Sequence, residues 1–110
     1  MTAQEAATFM RAFGDGTRLR IIAALSRRPA TVWELARLIG CPEHRVSRHL
    51  RHLDARGVVE WRPAAKAVSY SLAAPSHALH DEVLAAVQAT MGDIEEVRTD
   101  AAQWRKARKG

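Results

Sequence analysis

The sequence predicts a mainly α, α+β domain, and three observations predict it. Apolar residues recur at three- and four-residue spacing through most of the chain, as in helices buried along one face. Two Thr-x-x-Glu boxes, Thr2/Glu5 and Thr31/Glu34, mark helix starts. Only two short runs, "VVEW" (58–61) and "AVSYSL" (67–72), have strand character.

Each element follows in order. Thr2 and Glu5 open a helix over 1–13 with Phe9, Met10 and Phe13 along one side, and "GDG" at 14–16 breaks it. Asp15 caps the next, where Leu19, Ile22, Ala23 and Leu25 form a stripe and Arg18 and Arg20 lie off it. "RRPA" (27–30) ends that helix. Thr31 and Glu34 open a short one whose inner face is Val32, Leu35, Ala36 and Ile39. "GCP" (40–42) is a tight turn, and Pro42 is tolerated in the first turn of a His/Arg-rich helix over 43–56 that Gly57 stops. The strand runs then pair as a hairpin through "RPAAK", which lacks the Asn-Gly or Asp-Gly of a tight turn. "AAPS" breaks the pattern, and Ser76 caps one long last helix, 76–104, with Leu79, Val83, Leu84, Val87, Met91, Ile94 and Val97 as its stripe. Gly92 within it gives a place for a bend or a close helix approach. Residues 105–110 form a basic tail. Four helices, a two-stranded hairpin and a long helix make the winged helix-turn-helix plan.

A length of 110 residues fits one domain, 1–110, with a core small enough that dimerisation adds useful burial. At 47% hydrophobic and 26% charged residues, the composition is neither disordered nor membranous. Apolar runs such as "IIAAL", five residues at the longest, fall far short of the roughly 18 residues of a membrane span. The first residues carry no export pattern, so a cytoplasmic location is expected. One cysteine, Cys41, excludes an intramolecular disulfide and leaves a redox role through an intermolecular bridge open. Charge is uneven: residues 1–75 sum to +6, residues 76–104 to −5, and the tail adds +4. A basic front and acidic rear suit a molecule oriented by a polyanion, or a helix with a solvated acidic face.

The segment "HRVSRHLRHLDARG" (44–57) holds three histidines and four arginines. At about 100° per residue, Val46, Leu50 and Leu53 define a buried side. His44, Arg48 and Arg51 lie opposite, flanked by Arg45, Ser47 and His52, while His49 sits at the boundary and packs or caps. The imidazoles do not converge on a metal, and three nearby arginines repel a dication. No acid orients an imidazole beside Ser47 and no phosphate-binding glycine loop is present, so no enzyme activity and no cofactor are expected. As a DNA-reading surface the segment is coherent: arginine bridges guanine O6 and N7, and His and Ser reach base edges or phosphates. Arg62 and Lys66, beside the hairpin tip, suit phosphate contacts. Trp61 and Tyr70 are expected to pin the hairpin to the core as a cross-strand pair.

At this point the chain resembles the ArsR/SmtB family of small bacterial winged-helix repressors. "FGDGTRLRIIAAL" (13–25) is similar to that family's opening, "ELARLIGCPEHRVSRHLRHLDARGVV" (34–59) to its recognition segment and "VSYSL" (68–72) to its wing strand. The resemblance implies a homodimer joined through the first and last helices on a palindromic operator. Both terminal stripes agree, with Phe9, Phe13, Leu79, Val83, Val87, Met91 and Ile94 as the expected contact. The family's Cys-x-Cys metal site falls on Thr31 and Trp33 here, and its C-terminal site on Ala74, Ser76, Val87 and Thr90, so neither is expected. His77, His80 and Asp81 offer metal-ligand spacing, but the same residues suit a helix N-terminus. Trp33 lines an effector pocket or packs at an interface.

The sequence therefore reads as a dimeric, sequence-specific transcriptional repressor that partners double-stranded DNA and itself, not a membrane, with any effector unidentified. The alternatives are a non-specific DNA-architectural protein and a protein-interaction module.

Overall fold

The computed structural model describes the backbone of residues 1–109 and the side chains of residues 1–106. Helix α1 (Ala3–Met10) begins at the expected capping box: Thr2 Oγ1 accepts from the Glu5 N–H at 3.1 Å, and Glu5 accepts from the Thr2 N–H at 2.9 Å. It tightens into a 3-10 turn, Arg11–Phe13, and ends at Gly14. Asp15 caps α2 (Gly16–Arg27), accepting from the Arg18 N–H at 3.0 Å. Strand β1 (Ala30–Thr31) runs directly into α3 (Val32–Ile39), whose Thr31/Glu34 box is complete. Gly40, at φ 74, closes α3 in a left-handed conformation that a Cβ would disfavour. Then come α4 (Glu43–Ala55), β2 (Val59–Ala64), β3 (Ala67–Leu72), α5 (Ala78–Thr90) and α6 (Glu95–Lys109).

The sheet has three strands, ordered β1-β3-β2, where the sequence indicated two. Ala30 pairs with Tyr70 and Thr31 with Ser69. Two residues are too short to show strand periodicity, so β1 was invisible to pattern. β2 continues past Trp61 to Ala64, and Pro63 is accommodated because β2 is the free edge strand. The loop is thus only Ala65 and Lys66, and Ala65 supplies the left-handed residue (φ 42) that Asn or Gly ordinarily provides. Trp61 does face Tyr70 across the ladder. It does not pin the hairpin, because residues 60–68 project beyond the helical core and leave Trp61 53% exposed.

The last helix is two helices. After Thr90 the chain makes a 3-10 turn, Met91–Asp93, and Ile94 is extended. Gly92 is the weakest helix former in the stripe, and breaking there lets α6 fold back on α2 and α3. Val97, Ala101 and Trp104 bury on that return, a gain one continuous rod forgoes. The expected tail 105–110 is in its described part the last turns of α6, with Arg105 and Lys106 exposed; the side chains of Arg108 and Lys109, and all of Gly110, lie outside the described residues. The cap of α5 is His77 rather than Ser76: its Nδ1 accepts from the His80 N–H at 3.2 Å.

The core gathers Phe9, Phe13, Ile21, Ile22, Leu35, Val46, Leu50, Leu53, Val58 and Leu84. Two long-range polar ties clamp α6 to α2. Arg20 donates to both Asp100 oxygens at 2.8 Å, and the Trp104 indole N–H donates to the Ala24 carbonyl at 3.2 Å. Asp100 is thus buried and paired, so it drops out of the acidic surface that charge counting drew.

Candidate nucleic-acid interface

The site is α4 and its supports. Val46, Leu50 and Leu53 are each 0% exposed, three anchors on one helix side. The C-terminal end is locked by a Schellman closure: the Val58 N–H reaches the Leu53 carbonyl at 3.0 Å, the Gly57 N–H reaches Asp54 at 2.9 Å, and Gly57 has φ 73. At the other end the Gly40 and Cys41 N–H groups both reach the Ala36 carbonyl, setting the turn between α3 and α4. Cys41 is half-buried against the core.

With that side fixed, His44, Arg45, Arg48 and Arg51 are exposed and Ser47 is half-buried. His52 departs from the expected surface set. It is half-buried, its Nε2 is sealed from solvent without a partner among the described residues, and burial pushes its pKa below the ordinary value.

His49 packs inward, against a side chain the sequence left idle. Arg18 donates from Nε to the Ala12 carbonyl at 3.0 Å and from Nη2 to the Arg11 carbonyl at 2.8 Å. Its Nη1 meets His49 Nδ1 at 3.2 Å. Arginine only donates, so Nδ1 accepts and the ring proton sits on Nε2, 3.9 Å from Asp15. Burial foremost, opposed by Asp15 and helped by nearby arginines, lowers the His49 pKa. The Arg18 backbone N–H in turn holds the Asp15 pKa low. Arg18 thus joins the end of the α1 segment, α2 and α4. Its partners are 6, 7 and 31 residues away, so no local pattern announced it.

On the wing, Arg62 and Lys66 are exposed, Lys66 within the two-residue tip. Arg62 approaches Glu60 at 3.8 Å, a solvated pair worth little and easily exchanged for another anion. Because β1 leads into α3 and pairs with β3, the wing and the helix pair share one frame.

The other expected sites are distributed differently. Phe9 and Phe13 lie inside the protomer, 5.6 Å apart, and Phe9 also meets the His77 ring at 4.7 Å. Leu79, Val83 and Val87 are partly buried, and Met91 and Ile94 are half-buried at the break. His77 and His80 are engaged with backbone: His80 Nδ1 accepts from the Ser76 N–H at 3.3 Å. His80 is fully buried, which lowers its pKa, and Asp81 is exposed. Among the described residues, no three His, Cys, Asp or Glu side chains gather as metal ligands, and no helix is long and apolar enough to cross a membrane.

Known proteins match this arrangement. A helix-turn-helix domain model matches residues 13–61, which hold α2, α3, α4 and the start of β2. A transcriptional repressor SmtB homolog from Synechocystis sp. (strain ATCC 27184 / PCC 6803 / Kazusa) is 39% identical over 71 residues, 64% of this chain and 54% of that protein. The match thus spans about half the length of that relative. The crystal structure of NolR from Sinorhizobium fredii is similar with 30% identity and a TM-score of 0.67, over 77% of this chain and 82% of that one. The homodimeric winged helix-turn-helix DNA-binding domain of Mb0332 from Mycobacterium bovis, a possible ArsR-family transcriptional regulator, has a TM-score of 0.68 at 24% identity. It covers 84% of this chain and 82% of its own, a likeness of fold. With the helix pair, the wing and these similarities together, the chain belongs to the ArsR/SmtB family of winged helix-turn-helix proteins.

Proposed function

We propose that the protein is a homodimeric, sequence-specific transcriptional repressor that reads a palindromic operator with α4 in the major groove. One observation carries the reading: His44, Arg45, Arg48 and Arg51 stand in solvent on a helix whose opposite side, Val46, Leu50 and Leu53, is wholly buried. A helix so anchored fixes where its cations leave the backbone, and donor forks placed in this way can discriminate bases where charges on a mobile segment only attract phosphate. Ser47 adds a hydroxyl at the margin, His52 acts from beneath as packing, and Arg62 and Lys66 hold backbone phosphates. The proposed activity is binding, without a reaction.

A dimer makes the reading frame. α5 offers Leu79, Val83 and Val87, continued by Met91 and Ile94, as a stripe for a second copy. A C2 pair then sets two α4 helices about one DNA turn apart. Phe9 and Phe13 support that surface from inside the protomer.

The test is a titration of the purified protein against the DNA upstream of its own gene and against random duplex. Preference of about a thousandfold or more for the former is expected. Equal affinity for all duplexes selects a DNA-architectural protein, and no binding at low salt selects a protein-interaction module.

A further inference from the structure

α3, α6 and the end of α2 bound an open cleft of about 510 Å³, lined by Arg28, Trp33, Glu34, Arg37, Leu38, Gln103 and Trp104. That volume lies within the usual range for small-molecule sites, roughly 300–1,000 Å³. Each tryptophan carries a guanidinium. Arg28 Cζ is 3.6 Å from the Trp104 ring centroid, and Arg37 Cζ is 4.9 Å from that of Trp33.

The two halves of the cleft differ in kind. Trp104 is 4% exposed and tied to Ala24, and Arg28 also donates to the Trp104 carbonyl at 3.2 Å, so this side is a fixed cationic wall. Trp33 is 54% exposed, a large apolar ring facing water, and Arg37 beside it has no hydrogen bond or ion pair among the described residues. Glu34 is the one acid in the lining, and one of its oxygens is taken by the Thr31 N–H at 2.9 Å.

We propose that this cleft binds a small planar aromatic carboxylate. The ring lies on Trp33, where stacking removes apolar surface from water. The carboxylate meets the planar donor forks of Arg37 and Arg28. A neutral ring brings no anion to the Arg37 guanidinium it covers, and a non-planar anion forfeits the stack. The ligand seats on the first helix of the helix-turn-helix pair, a suitable place for an effector. Only that effector role rests on the DNA-binding reading; ligand binding does not, and it is measured without DNA.

The experiment is isothermal titration calorimetry of the full chain with 2-naphthoate as probe. Its amide, 2-naphthamide, keeps the ring without the charge, and cyclohexanecarboxylate keeps the charge without the flat ring. Saturable binding near one per chain, with a Kd of roughly 1 mM or tighter, is expected for the naphthoate. Both controls bind about tenfold more weakly or worse. Arg37→Gln and Trp33→Ala change exposed side chains, so the fold persists by circular dichroism, and each weakens the naphthoate by about tenfold. No saturable binding, equal affinity for acid and amide, or either variant binding like the parent overturns the proposal.

Discussion

Arg48 stands on the solvent side of α4, two residues after Val46 and two before Leu50, both wholly buried. Its Cα is thus held while its guanidinium is free to read. Arg48→Ala is expected to weaken operator binding by about 1–3 kcal/mol and to relax preference at one base position, read by anisotropy on a panel of substituted operators. Equal loss on cognate and random duplex makes it a phosphate contact instead. At the same scale, His49, His52 and His80 all have folded pKa values below the ordinary value of about 6.5. In that window the unfolded chain binds more protons than the folded one. Their contribution to stability is therefore complete above pH 6.5 or so and is lost as pH falls through the folded values. The urea midpoint should drop between about pH 7.5 and pH 5.5, above the range where Asp15 and Glu5 titrate. An unchanged midpoint removes the linkage. The sequence set Arg45, Arg48 and Arg51 on the solvent side of α4 because helical geometry alone sorts them from the apolar trio. It left Arg18 idle and turned His52 outward, because both depend on what packs across from them.

At the scale of elements, α6 matters most. Its attachment rests on Val97, Ala101 and Trp104 and on the two-oxygen Arg20–Asp100 contact, which raises the Arg20 pKa chiefly through that hydrogen bonding. Asp100→Ala leaves a partly buried guanidinium without its acceptor, and about 2 kcal/mol of unfolding free energy should be lost in urea melts. Trp104→Ala should cost more, about 3–5 kcal/mol, by opening a cavity and removing the indole's hydrogen bond to the Ala24 carbonyl, which keeps its helix bond from the Arg28 N–H. If both variants melt like the parent, α6 is an appendage. The wing makes a separate prediction. Lys66→Ala at the hairpin tip should reduce the slope of log affinity against log salt by about one, with little change in base preference. A full slope with altered preference assigns Lys66 to base contact.

For the whole molecule, the proposed dimer sets the α5 stripe against a second copy. Leu79, Val83 and Val87 lean on the protomer core with one edge outward, and Met91 follows at the break. Val87→Arg is expected to turn a dimer into a folded monomer by sedimentation velocity and to abolish operator binding. Met91→Glu, at a residue outside the buried core, should act in the same direction with less effect on folding. Dimers persisting in both variants place the contact elsewhere. The frame that such a dimer presents has a local tie: β1 leads into α3, on which α4 packs, and pairs with β3 of the wing.

By itself the sequence determined the element types, both capping boxes, the turn before α4 and the sidedness of α4. All of these depend on neighbours within about one helical turn, whose geometry is fixed by covalent structure. Only the tertiary structure decided that the last stripe breaks at Gly92, that Phe9 and Phe13 face inward, that β1 completes the sheet, and that Arg18 and Asp100 find partners. Those outcomes join residues up to 80 positions apart, and whichever arrangement buries more apolar surface while pairing its charges prevails.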